Sequence, residues 1–113
     1  MSAVKTVAAL PTRYRQLQRR LARIGYLSQG SALERSPGQQ GSRYVWTRKL
    51  KAKTVTVALS QQQYLWLRQA VANQRQLQKL VTQMQRLSRE VLFKTIPGVP
   101  RRKQLSKKVL GLI

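Results

Sequence analysis

Twenty-three Lys and Arg residues stand against two carboxylates in a chain of 113 residues, and that imbalance limits the chemistry available to it. Glu34 and Glu90 lie far apart, beside Arg35 and Arg89, and each predicts a surface salt bridge. A nuclease- or transposase-type centre needs clustered carboxylates around a divalent cation. Two separated acids do not build one. Cysteine and histidine are both absent, which removes disulfides, thiolate nucleophiles, the usual zinc ligand sets and imidazole acid–base work. The expectation is a non-catalytic protein with no cofactor and no metal site. The remaining groups are cations, hydroxyls and glutamine amides, which are suited to holding phosphate and reaching base edges.

A formal charge of +21 predicts a polyanionic partner, because a domain this small would otherwise repel itself. Nucleic acid is the leading candidate. An anionic membrane surface is disfavoured, since the basic residues are spread along the whole chain and no apolar run nears the ~20 residues of a spanning helix. The opening MSAVKTVAAL resembles a secretory signal poorly. The expected location is cytoplasmic, in association with the nucleoid or a ribonucleoprotein.

The elements that must position these groups centre on residues 42–59, SRYVWTRKLKAKTVTVAL. Tyr44 and Trp46 alternate with Arg43, Val45, Thr47 and Lys49, and Val55, Val57 and Leu59 alternate with Thr54 and Thr56. This period of two predicts a β-hairpin with Tyr44, Trp46, Val55 and Val57 inward and a cationic, hydroxyl-rich rim outward. The intervening Lys49–Lys53 lacks Asn-Gly or Asp-Gly, so a four- or five-residue loop is expected. Upstream, Tyr14, Leu17, Leu21 and Ile24 recur at helical spacing, with Thr12 as N-cap and Gly25 as a left-handed C-cap. Ser31–Glu34 is a candidate third strand, and Ser36–Gly41 is a loop. Downstream, Ser60 caps a long helix to about residue 93 with the seam Gln63, Trp66, Ala70, Asn73, Leu77, Leu80, Met84, Leu87 and Val91, widened by Leu67, Val71 and Val81. Asn73 either sets register between paired helices or faces the edge of a core. Ile96–Pro100 breaks the helix. The apolar last five residues, 109–113, dock either on the domain or on a partner.

The expected fold is therefore α+β: an N-terminal helix, a β-hairpin with a candidate third short strand, a long C-terminal helix and a basic tail. The expected organisation is a flexible arm at 1–11, a single helix–hairpin–helix domain at 12–94 and a tail at 95–113. Candidate phosphate ligands on the first helix are Arg13, Arg15, Arg19, Arg20 and Arg23. On the hairpin they are Arg43, Thr47, Arg48, Lys49, Lys51, Lys53, Thr54 and Thr56. The long helix adds Arg68, Arg75, Lys79 and Arg86, and the tail adds Arg101, Arg102, Lys103, Lys107 and Lys108. Tyr44 and Trp46 admit a second role, stacking unpaired bases, against the more ordinary role of core between hairpin and helix, facing Tyr64 and Trp66.

Ser31, Leu33, Glu34 and Arg35, then Pro37, Gly38, Gly41 and Tyr44, then Lys53, Thr54, Thr56 and Leu59, and finally Leu67, Ala70 and Leu77 follow one order of elements. In that order the chain resembles a small family of uncharacterised bacterial and archaeal proteins found in the company of insertion sequences. Family members carry a Cys-, Gly- and His-containing stretch where this chain has Ser36-Pro37-Gly38-Gln39-Gln40-Gly41, so any metal or thiol role of that stretch is missing here. The resemblance implies a mobile-element setting with DNA or guide-type RNA as partner.

The leading expectation is thus a DNA-binding accessory or regulatory factor of a mobile element, working on duplex DNA through phosphate neutralisation. An RNA-binding subunit of a ribonucleoprotein (ribosome-like or an RNA-guided effector) comes next. A helical scaffold, dimerising or docking on a larger protein through the 63–91 seam, is the third.

Overall fold

The computed structural model describes residues 10–100 and 103–113; residues 1–9 of the expected arm, and Arg101 and Arg102, lie outside them. The elements are α1 (Thr12–Ala22), β1 (Ser31–Glu34), β2 (Tyr44–Leu50), β3 (Lys53–Leu59) and α2 (Gln61–Thr95). This is the expected α+β order, and the third strand is present. The chain falls into two compact units, one formed by the segment up to Arg23 with Gln78–Ile113, the other by Ile24–Leu77.

In the first unit, α1 starts after Pro11, whose φ of −59° already suits a helix and whose carbonyl accepts the Arg15 N–H at 3.1 Å. Thr12 is therefore the first helical residue and not the cap. Leu17 and Leu80 are the fully buried side chains of this unit, with Tyr14 and Leu21 half-buried on the same α1 stripe. Pro11 and Tyr14 also face Ser88, Val91, Leu92 and Ile96 across a small apolar pocket. Arg13, Arg15, Arg19 and Arg20 of α1 are exposed, as is Arg23 just after it. The helix ends at Arg23, whose N–H reaches the carbonyls of Arg20 and Leu21. Gly25 has no positive φ and is not the expected left-handed cap.

After α2 the chain turns back. Leu110, Gly111 and Leu112 donate their N–H groups to the carbonyls of Ser106, Lys108 and Lys107, and Arg89 Nε donates to the Gly111 carbonyl at 2.6 Å. The terminus is thus tied to α2 through Gly111, while Val109 and Ile113 stay exposed. Gly111 takes φ of +73°, and a Cβ there would run into Arg89.

In the second unit, the three strands form one antiparallel sheet in the order β1-β2-β3. The hairpin turn is tighter than expected. Leu50 pairs with Lys53, leaving only Lys51 and Ala52 as the loop, at φ 50° and 67°. Positive φ at both central residues is the primed geometry that matches strand twist. The twist of the paired strands prevails over the unfavourable left-handed backbone of Lys and Ala.

α2 begins in a reciprocal capping box. Ser60 Oγ accepts the Gln63 N–H at 3.1 Å, and Gln63 Oε1 accepts the Ser60 N–H at 3.0 Å. Tyr64, Ala70 and Val71 of α2 are buried, together with Val45 of β2. Val45 was expected on the outward row, yet it is the most covered sheet residue at 3 % exposure, whereas Val57 is 41 % exposed. Val45 pairs with Leu33, which lines a groove together with Val71 of α2 and is itself 47 % exposed. The opposite face, with Tyr44, Trp46 and Val55, is only half-covered.

Candidate nucleic-acid interface

Strand register, set by the twist and the tight turn, decides which polar side chains meet. Ser31 lies opposite Thr47, Thr47 opposite Thr56, and Lys49 opposite Thr54. Residues opposite each other share a face, and residues two apart along a strand share it too. Three hydroxyls therefore cross the sheet in one row, and a lysine and a fourth hydroxyl form the next. Past the β1 end of these rows the chain makes a sharp bend at Gly30, where φ is +97° and a Cβ would lie 2.5 Å from the Thr47 carbonyl oxygen. Only glycine fits so close to β2. The bend and the rows border a groove of about 430 Å³ lined by Gln29, Gly30, Ser31, Thr47, Arg48, Lys49 and Thr54.

Arg48 belongs to this groove in an unusual state. Its guanidinium sits 4.9 Å from the centre of the Trp46 ring, a cation–π contact. Its Nε is shielded from solvent with no hydrogen-bond partner among the described residues. Trp46 is held in turn by its indole N–H, which donates to the Gln29 carbonyl at 3.0 Å.

A second groove, of about 300 Å³, runs between β1 and α2 and is lined by Ser31, Ala32, Leu33, Arg68, Val71, Ala72 and Arg75. Arg68 and Arg75 are seven residues apart, two helical turns, so both project from one side of α2. Ser31 lines both grooves. Their linings, taken together as a track, include Thr54 and Lys49 at one side and the α2 arginines at the other, and no carboxylate.

Several expected ligands are placed elsewhere. Arg43 is spent on Glu34, with Nη2–Oε2 at 2.8 Å and Nε–Oε2 at 3.1 Å, in the one ion pair among the described residues. This hydrogen bonding, with the nearby charge of Tyr44 and of Glu34 itself, holds the guanidinium above the ordinary arginine range. Glu34 thus pairs across the strands and not with its neighbour Arg35, which donates to the Gln40 carbonyl at 2.8 Å. Glu90 makes no ion pair among the described residues. Lys51 and Lys53 stand exposed at the hairpin tip. In the other unit, the α1 arginines, Lys79, Arg86, Lys103, Lys107 and Lys108 are exposed cations, with Arg13 touching Gln83 at 3.5 Å.

The chain matches no family model, no curated protein and no solved structure. The candidate site therefore rests on its own geometry.

The aromatics divide differently from expectation. Tyr44 does stack on Tyr64, with ring centres 4.8 Å apart, as a core pair would. Trp46 does not face Trp66. Trp66 instead pairs with Tyr26, which the helical and strand periodicities had left unassigned. Among the described residues no helix is long and apolar enough to cross a membrane.

Proposed function

We propose that this chain is a non-catalytic nucleic-acid-binding protein, an accessory or regulatory factor of a mobile element, that holds its partner by phosphate neutralisation along the Ser31-centred track. The observation that carries this reading is the lining of the track: Ser31, Thr47 and Thr54 hydroxyls with Lys49, Arg68 and Arg75, and no acid. Hydroxyls and cations both donate to phosphate oxygens, and a path without carboxylates presents a polyanion with no repulsive site along it. The exposed cations of α1, of the tail and of Lys79 and Arg86 add sequence-independent attraction. Duplex DNA is the first polymer in this reading, and RNA the second. The location that follows is nucleoid- or ribonucleoprotein-associated.

Anisotropy titrations of labelled duplex DNA and structured RNA, at physiological salt with excess heparin-like competitor, test it. Binding that survives competition supports the proposal. Equal displacement by any polyanion at its charge equivalent would leave only generic electrostatics and overturn it.

A further inference from the structure

Tyr26 and Trp66 are 73 % and 54 % exposed, the most open aromatics of the unit, yet they are locked together with ring centres 5.0 Å apart at 41°. The locking is built. Asn73 Nδ2 donates to the Tyr26 carbonyl at 3.0 Å, and the Ser28 N–H donates to the Ala70 carbonyl at 3.2 Å. Those two bonds fasten the main chain to α2 on either side of Leu27, so Tyr26 does not depend on burial to stay over Trp66. Asn73 is itself held, its Oδ1 accepting from Gln69 at 2.9 Å. A ring pair that is wet on its outer side but carried on an anchored main chain has part of its ordering cost met in advance.

We propose that the Tyr26–Trp66 pair is a stacking platform for an unpaired nucleobase. This rests on the nucleic-acid reading above and narrows it, because a duplex keeps its base faces stacked and offers a platform none except at its ends. A nucleobase is the occupant that the charge favours: with +21 on the chain, an approaching π-face is best delivered by a strand that also carries phosphates. Gln62, four residues before Trp66, is exposed and offers an amide to base edges. A protein partner laid on the two rings is the rival occupant, and the test separates it.

Trp46→Phe leaves Trp66 as the single indole of the chain. Its emission is followed while a short single-stranded oligonucleotide, or the same sequence as a blunt duplex, is added at raised salt, where phosphate contacts are weakened. In parallel, anisotropy of the labelled strands is measured for Tyr26→Ala, Tyr26→Phe and Trp66→Ala in the native background, so the test survives if Trp46→Phe folds poorly. Stacking predicts quenching by the single strand, a fall in single-strand affinity of about fivefold or more in each Ala variant, near-native affinity in Tyr26→Phe, and duplex affinity within twofold of wild type. Single-strand binding that leaves Trp66 emission and the Ala variants unchanged overturns the platform while the phosphate-track reading stands; the rings would then be free for a protein. Failure of both polymers to bind overturns the two together.

Discussion

At the scale of single residues, the track depends on groups whose identity is easy to test. Thr47→Val and Thr54→Val keep the β-branched shape of their strands and remove only hydroxyls. Together with Lys49→Ala they should lower nucleic-acid affinity by about tenfold, a loss of ~1.4 kcal/mol, with unchanged far-UV dichroism. The same number of changes at Lys103, Lys107 and Lys108 should cost less. Gly30 is the sharper structural test. Gly30→Ala places a Cβ against the Thr47 carbonyl at a φ that L side chains rarely adopt. Urea unfolding should show a loss of about 2 kcal/mol or more. These roles were only partly legible in the sequence. Thr47, Lys49 and Thr54 followed from alternation, but the diversion of Arg43 to Glu34 did not, since the pairing runs between strands and sequence neighbours pointed to Arg35. Tyr26 was missed because one aromatic outside any period carries no signal until its neighbours are placed.

At the scale of elements, three devices fix the geometry. Ser60 and Gln63 close the start of α2 reciprocally, and Ser60→Ala should lower stability by about 1 kcal/mol. The Lys51-Ala52 turn holds two L residues at positive φ. Replacing it by Asn-Gly should raise stability by about 1 kcal/mol in urea or thermal melts; an unchanged or lowered midpoint would mean that the turn is not of the primed type. Ser60 was readable as the cap from the sequence; the reciprocal role of Gln63, which the periodicity assigned to the seam, was not. The turn was not, because its residues do not advertise the backbone that strand twist imposes. The strands themselves were readable, but their faces were not. Aromatic alternation pointed to Tyr44 and Trp46 as the interior; Tyr44 does stack on the buried Tyr64, but the most covered strand residue is Val45 of the opposite row, and Trp46 is engaged by Gln29 and Arg48. In α2, Ala70 and Leu80 are closed off within the chain and Asn73 is engaged by Tyr26, so the heptad-like seam is used in cis at these positions.

At the scale of the molecule, the charge is the property that the sequence states most openly, and geometry adds where cations line a groove. The unit of Ile24–Leu77 holds the track and the Tyr26–Trp66 ring pair; the described residues of the other unit contribute exposed arginines and lysines. Track cations in direct contact with phosphate should each remove roughly 0.9 from the slope of log affinity against log salt on duplex DNA. The most direct measurement of the central claim is therefore that slope, taken by anisotropy for the wild-type chain and for Lys49→Ala/Arg68→Ala/Arg75→Ala. The account predicts a steep slope that flattens by about 2.7 in the triple variant, three contacts at ~0.9 each. A slope that is the same in both proteins, or that flattens equally when Lys103, Lys107 and Lys108 are replaced instead, would contradict it.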